Sequence, residues 1–290
     1  MTQRFQARTS EVGGIPVARN LPTRGRRQIG AWCFLDHIGP VHFGADDAGL
    51  RVGPHPHIGL QTFTWMIEGE LLHRDSLGTE QRIRPGEVNL MTAGHGISHT
   101  EESVFGDRDL HAAQLWIALP EAERHTESRF DHYANLPCWQ DQGATWTLLT
   151  GHYHDKSADT LQFSPLVGLD IDCAEAQEIE LDLNPGFEYG LLTLTGGVDI
   201  NGDPFLTDEL AYLGDGQSSA TLTCQPGTRL LLVGGEPLGR DVVMWWNYVG
   251  YDKAEIVEAE LDWEAHSPRF GSIPEWPGER LQGPASPWRR

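Results

Sequence analysis

Short apolar stretches broken by Gly, Pro and Asp turn signals at close spacing run from about Gln28 to Glu236. That pattern belongs to an all-β sandwich or barrel rather than to βαβ units. Leu60-Gln-Thr-Phe-Thr-Trp-Met-Ile-Glu-Gly69 reads as a strand closed by a turn, and Gly86-Glu-Val-Asn-Leu-Met-Thr-Ala-Gly94 as a strand opened by the Pro85-Gly86 turn. After Pro237 the period changes. Asp252 to Trp263 sets Ile256, Ala259, Leu261 and Trp263 near a helical stripe among acidic residues, which predicts one short helix. Arg269 to Arg290, rich in Pro, Gly and Trp, is expected to lie extended over the surface.

The pattern also repeats. Thr64-Trp-Met-Ile-Glu-Gly69 is similar to Leu192-Thr-Leu-Thr-Gly-Gly197, and Glu87-Val-Asn-Leu-Met91 to Glu209-Leu-Ala-Tyr-Leu213. Two related β domains follow, with expected bounds of 1–135 and 136–238, and a helix and extended tail at 239–290. Pairing Gly69 with Gly197 sets His55 and His57 against Leu183 and Pro185, so the second copy carries no histidine pair.

At 290 residues, 39% hydrophobic, the chain can bury a substantial core, and no apolar run approaches the roughly 20 residues of a membrane-spanning helix. The polar start lacks the apolar segment of a signal peptide, so a cytoplasmic address with no membrane partner is expected. The formal charge of -21, with Lys156 and Lys253 the only lysines, repels phosphate backbones, and no direct nucleic-acid binding is expected. The local cluster Arg19, Arg24, Arg26 and Arg27 is read as a solvated loop. Cys33, Cys138, Cys173 and Cys224 are scattered singly and are expected to be buried free thiols.

Candidate chemistry centres on Gly-Pro-His-Pro-His-Ile-Gly, residues 53–59. Residues two apart on a strand share a face, so His55 and His57 aim both imidazoles at one point. A matching pair, His99 and Glu101, stands in Ala93-Gly-His-Gly-Ile-Ser-His-Thr-Glu101, and two such strands could close around one ion. Three neutral imidazoles and a carboxylate suit a first-row transition metal, with Fe(II) the first choice and Zn, Mn, Ni or Cu compatible with the same set. His152-Tyr-His154 has the same spacing but no partner pair and reads as exposed structure. His95 reads as a rim or supporting residue, and His37, His42, His73 and His111 as structural.

With these residues in view the chain resembles a pirin, a bicupin of the cupin superfamily. The resemblance rests on Phe34-Leu-Asp-His-Ile-Gly-Pro40, His55-Pro-His-Ile-Gly-Leu-Gln-Thr62, Met91-Thr-Ala-Gly-His-Gly-Ile-Ser-His-Thr-Glu101, Gln114-Leu-Trp-Ile-Ala-Leu-Pro120 and Met244-Trp-Trp-Asn247. It implies two tandem cupin domains with the metal in the N-terminal one, held by the positions matching His55, His57, His99 and Glu101, and a metal-free C-terminal cupin. It also implies a quercetin 2,3-dioxygenase activity, in which dioxygen opens a flavonol ring and Glu101 is the candidate catalytic base. The expected partners are a flavonol-like small molecule and dioxygen, on a monomer. The alternative implied by the family is an iron-dependent redox-sensing regulator that binds a protein partner. Where many pirins carry Arg, this chain has Ile58 and His95, which predicts a less cationic entrance. Gln61 stands near the acidic position of the general cupin motif, whose carboxylate the second motif supplies in pirins.

Overall fold

The computed structural model describes residues 2–104 and 108–289. The chain forms two cupin domains with one short helix near the C-terminus, and it divides into two compact units. One unit comprises the segment through Thr9, Ala18–His37 and Tyr133–Leu238; the other comprises Ser10–Val17, Ile38–His132 and the chain from Gly239 onward. Chain before residue 135 thus contributes to both units, and the C-terminal segment belongs with the candidate metal residues.

In the second unit a four-stranded sheet runs in the order Arg51–His57, Ile97–Ser103, Leu71–Asp75, Glu80–Ile83. Facing strands include Val88–Thr92, Leu60–Glu68 and Asp109–Ala118, hydrogen-bonded in that order within a larger sheet. The first unit repeats the scheme. Its four-stranded sheet is Gln177–Asp182, Ser219–Cys224, Gly197–Ile200, Asp203–Leu206, and its larger sheet includes Glu209–Gly214, Glu188–Thr195, Thr228–Gly235 and Leu166–Cys173. Gln3–Gln6 pairs antiparallel with Glu209–Gly214 at the edge of that sheet.

The repeated sequence segments are neighbouring strands in each unit: Leu60–Glu68 pairs with Val88–Thr92, and Glu188–Thr195 with Glu209–Gly214. Their alignment needs one correction. The glycine with left-handed backbone that matches Gly69 (φ +84°) is Gly196 (φ +75°), one residue before the sequence-based choice of Gly197. The shift sets Asp182 and Asn184 against His55 and His57, and no histidine appears in either alignment.

The helix spans Lys253–Glu264, with the Asp252 carboxylate capping the N–H groups of Ala254 and Glu255. Ile256, Ala259 and Trp263 are buried as expected, but Leu261 is 45% exposed and Glu260 is buried in its place. Five residues past Ile256 is about 140° around the helix from it, whereas Glu260 lies on the Ile256 side. Glu260 accepts from Ser286 N and pairs with Arg289, which ties the tail to the helix.

Two smaller expectations also change. Cys33, Cys173 and Cys224 are buried free thiols, whereas Cys138 is exposed. Of the arginine cluster only Arg24 and Arg27 are exposed. Arg19 forks onto the Asp36 carboxylate, and Arg26 lies over the Tyr212 ring beside Glu188. Among the described residues no helix is long and apolar enough to cross a membrane.

Candidate metal centre

The site is built where the strands Arg51–His57 and Ile97–Ser103 pair antiparallel, with His99 opposite His55 and Ile97 opposite His57. The register slips between His99 and Glu101, so Glu101 pairs with Val52, and Gly53 and Pro54 stand outside the ladder. Gly53 uses that freedom: its carbonyl accepts from His55 Nδ1 at 2.8 Å. His57 Nδ1 bonds the Asn247 carbonyl at 3.0 Å. Gly59, which ends the histidine motif, has φ +67°, and a Cβ there would meet the Val249 carbonyl at 2.1 Å. Only glycine fits that turn.

A ligand atom from each of His55, His57 and His99 lies within 4.8 Å of the other two. A second group, His73, His99 and Glu101, meets the same limit, so His99 is common to both. The two groups meet at His99: His55 and His57 stand in the first, and Glu101 stands in the second together with His73. Reading His73 as merely structural missed it. The signal was present in Leu71-Leu-His-Arg-Asp75, where Leu71, His73 and Asp75 alternate inward along one strand. On its other edge the Ile97–Ser103 strand sets His99 opposite Asp75 and Glu101 opposite His73. His73 stacks on Phe130, and His57 meets the edge of Trp116.

Burial sets the electrostatics. It pushes the His55 imidazole down to about 4, and it takes His57 and His99 well below their ordinary value, with neighbouring histidines adding to the effect. All three are therefore neutral at pH 7 and have a lone pair to give. The Glu101 carboxyl is pushed up by burial, against the opposing influence of His73 and of Thr64, whose hydroxyl donates to Oε1 at 3.5 Å. Burial also acts to raise Asp75, but the His73 bond and charge together with the Thr79 bonds take it below the usual carboxylate range. His99 Nε2 is buried and has no hydrogen-bond partner among the described residues. Leaving a buried polar atom unsatisfied costs about 1–3 kcal/mol, and a metal ion bound at that nitrogen would remove the deficit. The donor set and this bare nitrogen fit a divalent transition metal.

The remaining sequence expectations separate. His95 is exposed on a loop, its ring 6.0 Å from that of His125. Ile58 is buried in an apolar cluster with Tyr248, Ile256 and Trp263. Gln61 is buried and donates to Thr92 Oγ1. His152 and His154 are exposed, and His154 pairs with Asp182.

The Pirin family profile matches residues 14–117, and the Pirin C-terminal cupin domain profile matches residues 168–271. A Pseudomonas aeruginosa protein named provisionally as a quercetin 2,3-dioxygenase is 55% identical over 290 residues, covering 100% of this chain and 92% of its own. A crystal structure titled quercetin 2,3-dioxygenase from Acinetobacter baumannii superposes with a TM-score of 0.97 at 46% identity, covering 100% of this chain and 97% of that one. A bacterial pirin from Escherichia coli in complex with nickel(II) shares the fold at 19% identity, with a TM-score of 0.63 over 82% of this chain and 100% of its own. By its two domain matches and its close relatives, the chain belongs to the pirin family.

Proposed function

We propose that the protein is a metal-dependent oxidoreductase of the quercetin 2,3-dioxygenase type, with His55, His57, His99 and Glu101 holding the metal. One observation carries the reading: the bare, buried Nε2 of His99 sits in a cluster of neutral imidazoles, where a cation is the partner that would complete it. The names of the P. aeruginosa and A. baumannii relatives support the reaction class. Fe(II) is the first choice, and Zn, Mn, Ni or Cu suit the same donors.

A metal in this site would supply Lewis acidity toward a flavonol oxygen and a position for dioxygen. The chain's own residues do the rest. Glu101 takes the proton of the flavonol 3-hydroxyl on its carboxylate. The single hydroxyl proton of Thr64 is shared between Gln114 Oε1 at 2.8 Å and Glu101 Oε1 at 3.5 Å, so Glu101 is only loosely tied. The surrounding apolar walls, among them Trp116 and Phe130, limit water at the reacting centre. Dioxygen then opens the central ring, and one carbon leaves as carbon monoxide.

Protein loaded anaerobically with Fe(II) is expected to take up dioxygen with quercetin and release carbon monoxide, and to stop on chelation. Glu101→Ala should abolish turnover while retaining some metal. Full metal occupancy without uptake on any flavonol would overturn the enzymatic reading and favour an iron-dependent regulator that binds a protein partner.

A further inference from the structure

The three histidines of the proposed centre are oriented by neighbours of different kinds. Nδ1 of His55 and of His57 each face a backbone carbonyl, which can only accept, so each carries its proton on Nδ1 and keeps a free lone pair on Nε2. His99 differs. Its Nδ1 lies 3.3 Å from Nδ1 of His73, and an imidazole nitrogen can either donate or accept. That contact alone does not fix which nitrogen of His99 holds the proton.

The next residue along decides it. His73 Nε2 lies 3.1 Å from Asp75 Oδ2, and a carboxylate only accepts, so His73 must donate from Nε2. In the neutral His73 ring Nδ1 is then an acceptor, His99 donates to it from Nδ1, and His99 Nε2 is left bare. That nitrogen is buried and without a hydrogen-bond partner among the described residues. We infer that His73 and Asp75 are positioning residues that set the tautomer of His99 and keep its Nε2 open as a ligand; this rests on the metal reading of the site.

Asp75 is itself held in place. Its Oδ1 accepts from Leu77 N at 2.9 Å and Thr79 N at 3.1 Å, and this fixes which oxygen faces His73. The substitution Asp75→Asn therefore has a defined outcome. The amide oxygen keeps the two backbone N–H groups, and the NH2 group takes the place of Oδ2 and donates to His73 Nε2. Every bond in the chain reverses: His73 carries its proton on Nδ1, His99 accepts there, and the proton of His99 moves to Nε2, which blocks the ligand atom. Both turn bonds survive, so the fold should too.

The test uses the full chain, 15N-labelled and metal-free near neutral pH, with histidine tautomers read from long-range 1H–15N correlations and nickel(II) affinity from calorimetry. Wild type should show His99 protonated on Nδ1 and His73 on Nε2. Asp75→Asn should invert both, leave His55 and His57 unchanged, and weaken nickel binding about 10–100-fold. His73→Leu, which removes the acceptor, should weaken nickel binding in the same direction and serves if the first variant does not fold. Wild-type His99 protonated on Nε2, or Asp75→Asn with tautomers and affinity unchanged, would overturn the inference. Wild type that binds no divalent metal would sink the metal reading instead, while the metal-free spectra would still judge the tautomer.

Discussion

The two cupins share a scaffold but fill it differently. In one, the strands Arg51–His57 and Ile97–Ser103 turn His55, His57 and His99 inward. In the other, the matching pair Gln177–Asp182 and Ser219–Cys224 turns Ile179, Leu181, Ala220, Leu222 and Cys224 into a continuous apolar core with Leu169, Leu191 and Leu232. The apolar interior is close-packed and gains stability from burial. The polar interior carries neutral imidazoles and an unsatisfied nitrogen, an arrangement that stabilises the protein only when a ligand binds. The fold therefore tolerates chemistry in one copy, while the other is packed as an ordinary core.

The largest test of that contrast is in the apolar copy. Leu222→Ala or Leu181→Ala, each at a fully buried position, should destabilise by about 2–5 kcal/mol in chemical denaturation while leaving nickel binding intact. Equal loss of metal affinity would break the division of labour. Next is the polar copy: free nickel(II) at 100 times its Kd should stabilise the protein by about 2.7 kcal/mol, and His57→Leu should remove the effect in the same melt.

The pH dependence is smaller and has a definite sign. In the unfolded chain histidines gain protons below about pH 6.5, whereas folded His55 resists until about 4, and His57 and His99 are also held well below their ordinary value. Metal-free protein should therefore lose stability as pH falls from about 6.5 toward 4, by up to about 1.4 kcal/mol per unit for each histidine. Glu101, whose raised value acts in the opposite sense, offsets only part of this. Thermal melts across that range should show a shallower slope for His55→Leu, and an unchanged slope would sink the assignment. The smallest effects belong to surface groups: Leu261→Ala and His154→Ala should each change stability by less than about 0.5 kcal/mol and leave metal binding unchanged.

Much of this was legible along the chain because strand and helix periods are local. A period of two shows that His55 and His57 share a face, and that His99 and Glu101 do, without knowledge of what lies opposite. His152 and His154 share that spacing and are set apart by their polar neighbours and the lack of a partner pair. Legibility failed where position depends on contact between distant segments. Leu261 belongs to an apolar-looking stripe, yet the tail supplies Ser286 N and Arg289 to Glu260 and so determines which face is covered.

The sequence by itself determined the donor chemistry, the strand periodicity and the absence of a histidine pair from the matching positions of the second copy, since each is a property of residue type and spacing over a few positions. Only the tertiary structure decided that the Leu71–Asp75 strand lies on the far side of His99, bringing His73 to its Nδ1 and Asp75 to the other nitrogen of His73, and that the bulge frees the Gly53 carbonyl for His55. The reason is physical: strand pairing and register are set by the burial and backbone hydrogen bonding of whole sheets, and one residue of slip changes which side chain faces inward.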